Sequence, residues 1–308
     1  MPLIAQRAAL AAKQETVEGT PETLAAADVI LVYEPTFDDP TDIHERNPIR
    51  PTLSQMNQVA GRRYGRLTFK VDLKGSGTAG TAPEWGKLLK FCKMSETIVP
   101  ATSVTYAPVS TGDPSATLAF YVDGKKYQIA GARGTFRFAA SVGEIIRLEF
   151  EFWGIVSIVD AALLTGTTFD TTVPVPFMGS AFTLHADANF IAESFEFDLA
   201  NELALRPSIK AATGIASVLV SNRVPVGAIK VEERLVADFD LYGKKYTNVE
   251  GSLSMPVGAT AGNIVTLTAP KVRFTDLPQE FRDNILVINV GLRFNMSAGD
   301  DEISIALT

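Results

Sequence analysis

Arg66-Leu67-Thr68-Phe69-Lys70-Val71-Asp72-Leu73 alternates polar and apolar residues without a break. Successive side chains of a β-strand point to opposite faces, so a period of two marks a strand with one dry and one wet face. The same pattern returns in Ile145–Trp153, where Leu148, Phe150 and Phe152 oppose Arg147, Glu149 and Glu151. It returns again in Glu193–Leu199, with Phe195, Phe197 and Leu199 against Glu196 and Asp198. Val287–Asn295 repeats it with Val290, Leu292 and Phe294 against Asn289, Arg293 and Asn295. Thr117–Val122 and Lys125–Ala130 flank Asp123-Gly124, a strong hairpin signal because both turn residues tolerate positive φ. The fold class is therefore expected to be mainly β, as sandwich or barrel-forming domains with short flanking helices.

Between these strands the chain changes character. Pro83–Met94 reads as a short amphipathic helix, with Pro83 in the first turn and Trp85, Leu88, Leu89 and Cys92 on one side. Residues 34–63 hold Pro35, Pro40, Pro48 and Pro51 with little periodicity and are expected to be a long loop. Such loops are often functional. Residues 7–16 are expected to form a helical turn or two, or a flexible arm. Val29–Tyr33 is a short strand candidate, and Ala161–Gly179 reads as a linker. Gly-Lys-Lys-Tyr occurs at Gly124–Tyr127 and again at Gly243–Tyr246, an offset of 119 (243 − 124). Gly143-Glu144-Ile145-Ile146-Arg147-Leu148 and Gly262-Asn263-Ile264-Val265-Thr266-Leu267 follow in the same order. Internal repeats decide architecture. Two similar domains are expected, at 1–165 and 166–308.

The composition is 46% apolar, enough for a sizeable core. A net charge of −7 leaves no global basic footprint for phosphate binding. The single cysteine, Cys92, excludes an intrachain disulfide and reads as core packing. Met1–Ala12 lacks the apolar run of a signal peptide, and no stretch is long and apolar enough for a membrane helix. Only His44 and His185 are available, too few ligands with one cysteine for a zinc site. Gly75-Ser76-Gly77 lacks the lysine of a phosphate loop and reads as a strand end. Asp38-Asp39-Asp42 and Asp300-Asp301-Glu302 could hold a hard cation but lack EF-hand spacing, and read as solvated charge. Asn295-Met296-Ser297 matches a glycosylation site and carries no weight without a secretion signal. No catalytic constellation converges, and no cofactor or metal is expected.

Val59-Ala60-Gly61-Arg62-Arg63 through Leu73–Gly77, Pro83–Leu89, Phe120–Gly124 and Gly131-Ala132-Arg133-Gly134 resemble, in that order, the tail tube proteins of long-tailed bacteriophages. So do Ser194–Asn201, Arg206-Pro207-Ser208, Gly214-Ile215 and Gly299–Glu302. The resemblance runs from about Thr20 to the end, and its pattern is that of the non-contractile, siphophage kind. It implies β-sandwich tube domains whose strands join around a ring into a barrel lumen, and a long loop reaching the next ring. It also implies a virion protein assembled in the host cytoplasm. The implied partners are other copies of itself, a tape-measure protein and phage DNA in the lumen, and a tail terminator and distal tail protein at the ends. Two tube domains per chain would let three chains form a pseudo-sixfold ring. The alternative is a hexamer in which one domain is an outward decoration.

The lumen-facing candidates are Lys70, Asp72, Glu149, Glu151, Glu196 and Asp198, which would give the channel an acidic wall that does not hold DNA. The inter-ring candidates in the 34–63 loop are Phe37, Ile43, Arg46, Ile49, Arg50 and Leu53. A membrane β-barrel is disfavoured by the helix and the long loop. A virion module for host-surface or carbohydrate binding would need an exposed aromatic platform, whereas Tyr33, Tyr64, Trp85 and Tyr106 are scattered.

Overall fold

Alternation in the sequence becomes alternation in burial. Leu67, Phe69 and Val71 are at most 1% exposed, as are Leu148, Phe150 and Phe152, while the residues between them reach solvent. The computed structural model describes residues 4, 6–112 and 114–308. In chain order, β1 (Ala8–Gln14) and β2 (Val29–Ile30) precede β3 (Tyr33–Asp38), β4 (Thr41–His44), β5 (Val59–Arg63) and β6 (Gly65–Asp72). Helix α1 (Gly86–Phe91) leads to β7 (Met94–Val99), β8 (Ser103–Pro108), β9 (Ala116–Val122), β10 (Lys125–Ser141) and β11 (Arg147–Asp160). Then come β12 (Thr183–Leu184), β13 (Ala192–Asp198), β14 (Asn201–Pro207), β15 (Ile215–Arg223) and β16 (Val226–Glu232). Helix α2 (Leu241–Tyr246) is followed by β17 (Gly251–Val257), β18 (Val265–Phe274), β19 (Gln279–Arg282), β20 (Ile285–Asn295) and β21 (Ser304–Leu307).

All pairings are antiparallel, and most strands belong to one large sheet system that branches at β10 and β18. The branch at β10 has a local cause. Its first part pairs with β9, a bulge falls between Ile129 and Ala132, and its last part, Arg137–Ser141, pairs with β13. Gly131 sits in the bulge at φ +59, where a side chain would be strained. The buried Glu15 carboxylate pins it, accepting from Gly131 N at 2.7 Å, Ser115 Oγ at 2.7 Å, Thr117 Oγ1 at 2.9 Å and Gly19 N at 2.8 Å. Phe69, Phe136, Phe150, Phe152, Phe195 and Phe197 fill the space beneath the branch, each at most 1% exposed. Burying one such side chain is worth about 1.5–3 kcal/mol.

The pairing plan occurs twice. β3–β6–β11–β10–β9 and β13–β16–β20–β18–β17 are joined in the same order. Their registers agree: Asp38↔Arg66 matches Asp198↔Val226, and Arg133↔Trp153 matches Arg273↔Arg293. The β9–β10 bulge, from Ile129↔Leu118 to Ala132↔Ala116, matches that from Ala269↔Leu253 to Val272↔Gly251. At this alignment the sequence repeats as well. Thr36-Phe37-Asp38 and Phe69-Lys70-Val71-Asp72 stand 160 residues before Glu196-Phe197-Asp198 and Ile229-Lys230-Val231-Glu232.

This register replaces the offset of 119. Gly124–Tyr127 lies in the β9–β10 turn and the start of β10, whereas Gly243–Tyr246 is helix α2, capped by Asp240 accepting from Gly243 N at 2.7 Å. Gly-Lys-Lys suits a turn or a short helix alike, so its recurrence does not report a shared fold position. Three further expectations change. Residues 8–14 form strand β1, because Leu10, Ala11 and Ala12 are small enough to be fully buried against β9. Residues 34–63 are a β-arm at the base, with β3 on β6 and β4 on β5, and an irregular loop only over 45–58. Its prolines sit where no ladder donor is needed: Pro35 at the irregularity between Tyr33 and Thr36, Pro40 between strands, Pro48 and Pro51 at the tip. The helix expected over 83–94 is shorter, spanning Gly86–Phe91, with Trp85, Leu88, Leu89 and Cys92 buried as its apolar side required.

Candidate functional site

The strand order β3–β6–β11–β10–β13–β16–β20 makes one continuous wet face across both halves of the chain. Cross-strand partners share a face. One row therefore runs Tyr33, Lys70, Glu149, Arg137, Asp198, Val226, Arg293, Arg273, and the next runs Asp72, Arg147, Ala139, Glu196, Ala228. Lys70, Asp72, Glu149, Glu151, Glu196 and Asp198 all lie on this face. Five of them, with Arg137 and Arg147, border or neighbour a shallow concavity of about 650 Å³, which Lys70, Glu149, Glu196 and Asp198 line directly.

The face is charge-mixed rather than acidic. Arg66 pairs with Glu151 at 2.9 Å, Arg137 with Glu149 at 2.7 Å, Arg147 with Asp72 at 3.2 Å and Lys70 with Glu34 at 2.6 Å. Trp153 Nε1 donates to Glu151 at 2.7 Å. Tyr33 donates its hydroxyl to Asp72 at 2.7 Å while the Arg147 guanidinium lies 4.3 Å from the Tyr33 ring centre. The bond to Asp72, with burial and that negative charge, raises the Tyr33 pKa. Hydrogen bonding and charge from Lys70 lower that of Glu34. Among the described residues Glu196, Asp198, Arg273 and Arg293 carry no ion pair. Arg66, Arg147 and Arg293 are already on the polar sides of the alternating strands in the sequence, whereas Arg137 was missed because Gly131-Ala132-Arg133-Gly134 looks like the end of a strand, and β10 runs through it to Ser141.

Two arms leave the same end of this sheet, since β3 and β13 run in the same direction. The first lies between Asp38 and Arg66, the second between Asp198 and Val226, equal in length. Ile49 and Leu53 at the first tip are each 105% exposed, Ile43 is 60% exposed, and Arg46 is exposed. Arg50 donates to the Ser54 carbonyl. Phe37 is not at the tip: its ring packs on Tyr127 at 5.0 Å. The second arm, β14–β15, is zipped further and buries Ile215, Val218 and Val220. Asn201 at its base donates to the Cys92 and Gly134 carbonyls at 2.8 and 3.0 Å. Arg223 is held by Asp300 at 3.1 Å and Glu302 at 3.0 Å.

The acidic C-terminal cluster is thereby occupied within the chain. Asp300 and Glu302 hold Arg223, and Asp301 accepts from the backbone N–H groups of Ser297, Ala298 and Gly299. No group of three or more metal-ligating side chains occurs among the described residues. No helix there is long and apolar enough to cross a membrane. Burial pushes the Cys92 thiol pKa well up, which suits packing rather than nucleophilic chemistry. His44 lies on the first arm and His185 follows β12, so the two histidines share no site. A family model described as phage tail tube protein matches residues 5–301. No curated protein matches the chain.

Proposed function

The chain belongs to the phage tail tube protein family, and on that premise we propose that three copies, each with two tandem tube units, close into one ring of the tail tube. The observation that carries this reading is the repeated pairing plan together with the junction between its two halves. Within one chain, the outer edge of β10 at Arg137–Ser141 accepts β13, the first strand of the second set. The corresponding edge of the second set is β19, which continues β18 along β20 and is exposed over its whole length. The free edge of the first set is β3, the counterpart of β13. Joining β19 of one copy to β3 of the next repeats the internal junction, and a head-to-tail contact that closes gives a ring without open edges.

In that ring the wet face of β6, β11 and β10 and its counterpart on β16, β20 and β18, with β13 between them, lines a lumen through which DNA passes during genome ejection, beside a tape-measure protein before ejection. Most cations of this face already hold a carboxylate. DNA phosphates therefore meet few free charges to neutralise them, and counterion-release binding is weak. Rings stack into the tube through the arms, and a terminator and a distal tail protein close its ends. The role is structural, assembled in the host cytoplasm and carried in the virion.

End-on electron microscopy of the purified protein tests this. Open-centred rings with three-fold averages and six similar lobes are expected. Six copies per ring, with only one unit of each at the lumen, would overturn the tandem-unit reading and favour an outward decoration.

A further inference from the structure

At the repeat register the two arm tips coincide residue by residue. Arg46, Ile49 and Arg50 stand 160 positions before Arg206, Ile209 and Lys210. Ile49 is 105% exposed and Ile209 is 104% exposed. A fully exposed isoleucine gains nothing in the free chain. The surrounding arm sequences have diverged, yet both tips keep the isoleucine between basic side chains. That retention points to a knob that binds something apolar with an acidic rim.

The opposite end of the same sheet offers such a receptor. Phe177, Met178, Phe182, Phe190, Phe195 and Ile229 line an apolar groove of about 180 Å³. It lies at the Ser141–Ser194 end of the β10–β13 ladder, whereas the second arm leaves from the Asp198 end of β13 and the first from the equivalent Asp38 end of β3. Val142 and Met178 at its mouth are 59% and 62% exposed. Ser180 also lines it, with a buried hydroxyl that has no hydrogen-bond partner. Glu144, two residues beyond Val142, is exposed and carries no ion pair among the described residues. A knob at one end and a groove at the other cannot meet within one chain of this fold. They meet when copies stack head to tail.

We infer that the first arm's knob docks in this groove on a second copy of the chain, with Ile49 entering between Phe182 and Phe190 and Arg46 or Arg50 meeting Glu144. This rests on the stacked-ring reading and specifies its axial contact. The occupant is a second copy rather than another protein because knob and groove lie at opposite ends of the same sheet, and because Arg234, whose guanidinium lies 5.7 Å from the Phe190 ring centre, is already held by Asp187 at 2.9 Å, which leaves Glu144, unpaired among the described residues, to face the basic knob.

The test is disulfide trapping in the full-length protein, whose own cysteine is buried. Ile49→Cys with Met178→Cys should yield an oxidation-dependent ladder of cross-linked copies, because a disulfide forms only where Cα atoms come within about 7 Å. The control pair, Ile49→Cys with Val99→Cys, should not. Ile49→Asp should abolish stacking without changing the thermal unfolding of the subunit. Arg50→Glu should weaken stacking, and Glu144→Lys should restore it. Stacks of Ile49→Asp as long as wild type, or no ladder with Met178→Cys, would overturn the inference. Microscopy of the same samples separates the two readings. Three-fold rings without the ladder reject only the docking contact. A ladder without three-fold rings keeps the contact and rejects the ring.

Discussion

The two arms begin on equivalent rows of the sheet and have equal lengths, yet they end in different states. The second is paired almost to its tip and lays Ile215, Val218 and Val220 on the protein body. The first is paired only near its base, and β4 and β5 bury no side chain. It leans on its counterpart, with Arg63 N donating to Thr213 O at 3.1 Å. Hairpin pairing alone does not hold an arm in water; burial of one of its faces does. The same ancestral-looking segment is thus a fastened element in one unit and a free one in the other. A free, proline-rich arm orders most fully against a partner.

The largest expected contrast is in hydrogen exchange. In the free subunit, amides of residues 45–58 should exchange nearly unprotected, while those of β15 should be roughly a hundredfold or more slower. Assembly should protect 45–58 and leave β15 unchanged. Equal protection of both arms in the free subunit would erase the distinction. Next comes the counterpart pair Arg63 and Arg223, which differ in surroundings rather than position. The Arg223 side chain is 10% exposed between Asp300 and Glu302. Arg223→Ala leaves those carboxylates without their cation and should cost about 3 kcal/mol in urea unfolding. Arg63→Ala, on the exposed arm, should stay within about 0.5 kcal/mol. Similar costs for both would show that the first arm is fastened after all.

Much of this was legible in the residues, because period-two burial is written directly in Leu67-Thr68-Phe69-Lys70-Val71 and its relatives. The face shared by Lys70, Glu149, Glu196 and Asp198 follows from that parity once strand order is known. What could not be read was pairing. The true repeat joins Phe69-Lys70-Val71-Asp72 to Ile229-Lys230-Val231-Glu232, a match in which conservative changes hide identity, while the more visible Gly-Lys-Lys-Tyr pair misled. Arg137 and its ion pair with Glu149 were hidden because a bulge at Gly131 imitates a strand end. The strand at Ala8–Gln14 was hidden because alanine favours helix in isolation, and only the buried seat against β9 reverses that preference.

The smallest expected effect belongs to the body rather than the arms, at His185. His185 packs 4.3 Å from the Phe274 ring centre and donates from Nε2 to the Val272 carbonyl at 3.0 Å. Burial, helped by the nearby Lys244 charge and opposed by the Val272 bond, lowers its pKa from 6.5 to about 4. The folded protein therefore prefers neutral His185. As pH falls below 6.5 the unfolded chain takes up a proton that the folded chain refuses until about pH 4. The stability contributed by this site is present in full above pH 6.5 and is lost progressively toward pH 4. Carboxylates titrate in the lower part of that window, so the readout is a difference between variants. His185→Gln keeps a donor for Val272 and should flatten the decline of the urea midpoint between pH 7 and pH 5. A wild-type slope in His185→Gln would show that the decline belongs to groups other than this buried ring, and the body would then hold no such switch to set it apart from the free arm.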